Sequence, residues 1–165
     1  MRLLIIEDKL NQQEFARKAL AGKAELDFLG NYEGFLEKIK IMQETYTLCD
    51  RNKHPFQYDG VLSDVFFPTD AHHFKDHCVP AGVGVYVICQ KFRIPCVMVT
   101  AGHHHGKDYQ WIGMTLGKLN HAREPWPLID GDVSGTFGSP DLDREAPEKD
   151  WMRGFNQLVK IINNR

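Results

Sequence analysis

Three short apolar runs constrain this chain most, because each stops on a polar group that could carry chemistry. Leu3-Leu4-Ile5-Ile6 runs into Glu7-Asp8, Tyr58 to Ser63 runs into Asp64 and then breaks at Pro68, and Pro95-Cys96-Val97-Met98-Val99 ends on Thr100. Runs that are apolar on successive positions suit strands buried on both faces, as in a parallel sheet covered by helices. If the three strands lie parallel in one sheet, their C-terminal ends lie together. Three acids and a hydroxyl then meet in one crevice.

The rest of the chain alternates accordingly. Residues 2–6 form the first strand. Asn11 with Glu14 reads as a capping box opening a helix whose apolar face is Phe15, Ala16, Ala19 and Leu20, with Gly22 as its stop. Ala24 to Leu29 is a second strand closed by Gly30. Asn31 caps a second helix with Phe35, Ile39 and Met42 inward. Residues 45–57 have no period and read as a long loop. Val65 to Pro80 is irregular. Gly82 to Phe92 is apolar nearly all round, and Lys91, Arg93 and Pro95 favour a helix ending before the strand at 95–100. Asp108 to Leu119 reads as a further helix and Pro127 to Asp130 as a fifth strand. Residues 131–146, rich in Gly, Ser, Asp and Pro, read as a loop. Pro147, with Glu148 and Asp150 beside it, opens a last helix with the stripe Trp151, Phe155, Leu158, Val159 and Ile162.

Strands alternating with helices imply an α/β fold, a doubly wound parallel sheet with helices on both faces. The expectation is a flavodoxin-like three-layer sandwich, with five strands in the order 2-1-3-4-5, forming one domain over 1–165 with long loops at about 45–57, 65–81 and 131–146. The length, 165 residues, is enough for one such core. A formal net charge of −2 gives no general attraction to nucleic acid or to anionic membranes, and neither is expected as a partner. The four-residue apolar run at the N-terminus is too short for a signal peptide or a span. Four widely spaced cysteines without CxxC suit a reducing, cytoplasmic setting, with Cys89 and Cys96 as small core residues.

In a doubly wound sheet, ligands bind beyond the carboxyl ends of the strands, where strand order reverses. Strands 1 and 3 are neighbours there, which draws Glu7, Asp8 and Asp64 together. Such acids repel, so one holds a proton or a cation joins them. Hard oxygen donors suit Mg²⁺. Thr100 could hydrogen-bond a phosphate oxygen drawn to that ion, and Asp64 could act as nucleophile in phosphoryl transfer. The plainer alternatives are a strand-end Asp capping its own turn, solvated acids before a helix, and a strand-end Thr.

The segments Leu3-Leu4-Ile5-Ile6-Glu7-Asp8, Val61-Leu62-Ser63-Asp64-Val65-Phe66-Phe67-Pro68 and Ile94 to Ala101 resemble, in order and spacing, the receiver domain of two-component response regulators. The resemblance implies that Asp64 is the phosphoacceptor. It implies that Glu7, Asp8, Asp64 and the backbone carbonyl of Phe66 hold Mg²⁺, and that Thr100 is the switch hydroxyl. It further implies a signalling module rather than an enzyme, with a histidine kinase or phosphotransfer protein as donor and a downstream protein as partner. The family carries a Lys at the end of strand 5 that pairs with the phosphoryl group. Pro127-Leu128-Ile129-Asp130-Gly131-Asp132 offers none, which leaves Lys9, Lys107 and Lys118 as lysines that could reach the crevice. Strand 5 also lacks the family's aromatic residue unless Trp126 stands in.

Two other readings stay open: a receiver-like docking module without phosphoryl chemistry, and a small metal-dependent hydrolase built on the acids and the histidine loops. His72, His73 and His77 with Cys78, and His103, His104 and His105, fall on loops at the acids' edge of the sheet. His73 and His77 have a spacing that suits one face of a helical turn and Zn²⁺. No full ligand set of known spacing accompanies them, so no Zn²⁺ site is assigned. No nucleophile elbow, P-loop or GxGxxG is present.

Overall fold

The computed structural model describes residues 1–48, 56–69, 80–100, 128–130 and 148–164, with only the backbone of 46–48 and 128–130. The expected helix at 108–119, the loop at 131–146, His72, His73, His77, Cys78, His103, His104, His105, Lys107, Lys118 and Trp126 lie outside the described residues.

The strands are β1 (Arg2–Ile6), β2 (Glu25–Leu29), β3 (Gly60–Ser63) and β4 (Cys96–Thr100). They pair parallel in the order β2-β1-β3-β4, and a three-residue strand β5 (Leu128–Asp130) lies parallel to β4 on its outer side. The helices are α1 (Leu10–Ala19), α2 (Tyr32–Leu48), α3 (Ala81–Lys91) and α4 (Trp151–Asn163).

The strand pleat sorts the core into two layers. Leu4, Ile6, Val61 and Met98 face one side, where Phe35, Ile39 and Met42 of α2 and Val85, Tyr86 and Cys89 of α3 cover them. Leu3, Ile5, Leu62, Val97 and Val99 face the other, under Ala16 of α1 and Trp151 and Leu158 of α4. Both faces of β1, β3 and β4 are therefore buried, as their unbroken apolar runs require. Among the described residues no helix is long and apolar enough to cross a membrane.

Several boundaries differ from the sequence expectation for identifiable reasons. Helix α1 begins at Leu10, so Asn11 lies inside it and no capping box forms. The chain turns early because the Glu7 carboxylate accepts from the Lys9 N–H. Asn31 does cap α2, its Oδ1 accepting from the Gly34 N–H at 2.8 Å. That helix continues through 45–48 rather than giving way to a loop, with the Thr45 hydroxyl donating to the Ile41 carbonyl one turn back. The apolar segment after Ala81 is a helix. Helix α4 starts at Trp151, not Pro147, because Asp150 caps it by accepting from the Arg153 N–H at 2.8 Å. Its buried line runs through Trp151, Gly154 and Leu158, while Phe155, Val159 and Ile162 are only half-buried.

Gly154 shifts that line, since it lets the helix sit directly on β4: a Cβ there would lie 2.6 Å from Val99 Cγ2. Gly82 is tighter still. A Cβ on it would lie 2.1 Å from the Asp64 carbonyl oxygen and 2.8 Å from Val65 Cα, and its N–H donates to the Val65 carbonyl at 3.0 Å. Helix α3 thus rests its first turn on the backbone of the candidate phosphoacceptor. Gly82→Ala is expected to destabilise the protein by about 3 kcal/mol or more, because the obstacle is backbone that cannot swing away. Gly30→Ala, whose Cβ would meet nothing closer than 3.9 Å, is expected to stay within about 0.5 kcal/mol of the parent. Urea unfolding of the two variants checks the contrast.

Candidate functional site

The C-terminal edge of the sheet is built by pairing register. Ile6 lies opposite Ser63, so Glu7 and Asp64 follow side by side from β1 and β3, and the Asp64 N–H donates to the Ile6 carbonyl at 2.8 Å. Ser63 lies opposite Met98, which puts Thr100 of β4 at the same edge. Glu7, Asp8 and Asp64 each offer a carboxylate oxygen, all within 4.8 Å of one another. Glu7, Asp64 and Thr100 are buried and Asp8 is half-buried. Phe66 sits two residues beyond Asp64, its side chain partly buried on the α2–α3 layer.

Asp64 is held at both oxygens. Its Oδ1 accepts from the Val65 N–H at 2.7 Å, and its Oδ2 lies 2.8 Å from Lys149 Nζ. The Lys149 ammonium also donates to Glu7 Oε2, while Glu7 Oε1 accepts from the Lys9 N–H at 3.1 Å. Lys149 is 4 % exposed. A buried ammonium therefore stands between the acid tips of two neighbouring strands.

Lys149 is not among the lysines expected to reach the crevice, which were Lys9, Lys107 and Lys118. The cation comes from just before α4, with residues 131–148 intervening after β5. In the sequence Lys149 stands between Glu148 and Asp150, so it reads as part of an acidic first turn. A lone Lys set directly before an amphipathic helix was the available signal. Of the lysines considered from sequence, Lys9 is exposed and reaches the site only through its backbone N–H.

One ammonium among three carboxylates leaves excess negative charge in a desolvated place. Burial pushes the Glu7 carboxyl up to about 7, with the Asp64 charge adding to the rise and Lys149 opposing it. Burial also raises Asp64, against the pull of Lys149 and with a further push from Asp8. Asp8 Oδ1 is buried and has no hydrogen-bond partner among the described residues. An orphaned carboxylate oxygen beside two more, all hard donors, fits a small divalent cation such as Mg²⁺.

No family model, curated protein or solved structure matches this chain.

The raised Glu7 carboxyl fixes a sign for stability. Below the unfolded value of 4.5 both folded and unfolded chains hold this proton, and above about 7 neither does. Between those limits the folded state favours the proton more, so its stability falls as pH rises, by up to about 3 kcal/mol. The unfolding free energy of the metal-free protein is expected to be lower at pH 8 than at pH 5, and Glu7→Gln is expected to flatten that slope. Denaturant titrations at the two pH values measure both.

Proposed function

We propose that this chain is a receiver-like signal-transduction domain with a flavodoxin-like sheet, accepting a phosphoryl group on Asp64 and acting through a protein partner. The observation that carries this reading is the Lys149 ammonium set between Glu7 and Asp64 at the sheet's C-terminal edge. It supplies the cation that the resemblance to response regulators calls for, from a different place in the chain.

In the reaction, a carboxylate oxygen of Asp64 attacks the phosphorus of a phosphohistidine on a kinase or phosphotransfer protein. The P–O bond forms as the P–N bond breaks, and the departing imidazole takes up a proton. The Val65 N–H and Lys149 hold Asp64 in a fixed orientation, so little reorganisation precedes attack. The ammonium then faces the charge added by the transferred group. Thr100, buried at the same edge, has a hydroxyl of the kind that can donate to a phosphoryl oxygen. A Mg²⁺ ion held by Glu7, Asp8 and Asp64, with the Phe66 carbonyl as a further ligand, would supply neutralising charge to the phosphoryl oxygens. Cys89 and Cys96, both buried and in no disulfide, suit the cytoplasmic setting in which such relays work.

Incubation with Mg²⁺ and either acetyl phosphate or beryllofluoride tests the reading. Expected is a stoichiometric adduct seen by mass, localised to Asp64 and lost in Asp64→Asn. No adduct on the folded, Mg²⁺-loaded protein refutes phosphoryl transfer and leaves the docking module. Continuous phosphate release without an accumulating adduct would point instead to the hydrolase.

A further inference from the structure

Lys149 does its work from an unusual footing. It is not in a strand, so no ladder of hydrogen bonds fixes its backbone, and residues 131–148 separate it from β5. Its flexible side chain must nonetheless deliver Nζ into a gap between two carboxylates. Something has to hold its main chain at the right height above the sheet edge.

That holder is a side chain of α1. Gln12 is completely buried, and its Oε1 accepts from the Lys149 N–H at 3.1 Å, across 137 positions of sequence. On the other side of Lys149, its carbonyl accepts from the Trp151 N–H at 2.8 Å, which ties it to the start of α4. The next residue in α1 completes the arrangement: Gln13 Nε2 donates to the Glu7 carbonyl at 2.7 Å. Two adjacent glutamines in the first turn of α1 therefore grip the main chains of both members of the Glu7–Lys149 pair. A buried amide in a helix face otherwise made of Ala16 and Leu20 is costly unless it is used.

We infer that Gln12 is a positioning residue for Lys149, setting the ammonium between Glu7 and Asp64 in place of the strand pairing that a lysine on β5 would have had. The inference rests on the phosphoacceptor reading only for its consequence in the reaction, since the geometry it claims exists without any phosphoryl group.

The test uses the full chain with isotope-labelled lysine and three variants. Gln12→Met keeps the volume and removes the acceptor, Gln12→Glu keeps an acceptor oxygen, and Lys149→Arg identifies the signal. In the parent protein the buried, ion-paired ammonium of Lys149 is expected to give a slowly exchanging resonance. Gln12→Met should lose that resonance while the amide spectrum of the sheet persists, and should slow adduct formation at Asp64 roughly tenfold or more. Gln12→Glu should restore both. A merely structural role would lower the melting temperature of Gln12→Met and leave the resonance in place, and that result overturns the inference. Should Gln12→Met fail to fold, amide exchange in the parent decides: a protected Lys149 N–H supports the clamp, and an unprotected one overturns it. A parent protein that forms no adduct, yet whose Lys149 resonance depends on Gln12, would refute the phosphoacceptor reading and leave the positioning role standing.

Discussion

The interaction on which the rest of the structure depends is the buried ammonium of Lys149 between Glu7 and Asp64. Parallel strands end with their last side chains adjacent, so an acid at the end of β1 and another at the end of β3 are forced together by the same register that builds the sheet. Neither could remain charged in that place alone. Breaking a buried pair by removing one partner typically costs about 3–5 kcal/mol, because the remaining charge is stranded. The ion triad therefore fastens three distant parts of the chain, β1, β3 and the start of α4, at the C-terminal edge of the sheet.

That fastening holds only because the layers on either side come close enough to support it. On one face Gly82 lets α3 sit against the Asp64–Val65 backbone, and on the other Gly154 lets α4 sit against Val99. The second contact sets how far the Lys149 main chain lies from the sheet, since α4 begins two residues later under its Asp150 cap. Packing and electrostatics are coupled here: the helix must dock closely for the ammonium to reach, and the ammonium must reach for the acids to be tolerated. The half-buried Asp8, with an oxygen that no group among the described residues satisfies, is the one acid of the three that the triad does not absorb.

The parts legible in the sequence were those fixed by burial on both faces. Unbroken apolar runs marked β1, β3 and β4, and the acids after β1 and β3 with Thr100 at the end of β4 marked the crevice, because a strand buried on both sides has no reason to end on a polar group except at an edge. Phe35, Ile39 and Met42 marked the inner face of α2 by period alone. What the sequence hid was decided by contacts between segments far apart in the chain. Asn11 and Glu14 have the spacing of a capping box, yet the Glu7 carboxylate captures the Lys9 N–H and starts the helix early. The last helix buries Trp151 and Leu158 of its expected stripe, while the close approach at Gly154 leaves Phe155, Val159 and Ile162 half-buried. Lys149 has the look of a solvated residue in an acidic turn, and nothing local says that it is buried.

The contrast between the two adjacent glutamines shows why such a residue escapes a local reading. Gln12 and Gln13 are identical in type and side by side, both near the start of α1, and helical geometry points them in different directions. One reaches the Lys149 N–H of the α4 junction and the other the Glu7 carbonyl of its own strand. Their value comes from the pair they connect, since Glu7 and Lys149 are 142 positions apart and are brought together only by the tertiary fold. A helix whose polar first turn is spent on the backbones beside an ion pair, rather than on solvent, is doing positional work that hydropathy period cannot register. The same physics that makes the cluster hard to read makes it hard to dispense with: Glu7, Gln12, Asp64 and Lys149 are all buried, and each is bonded to a residue far from it in sequence.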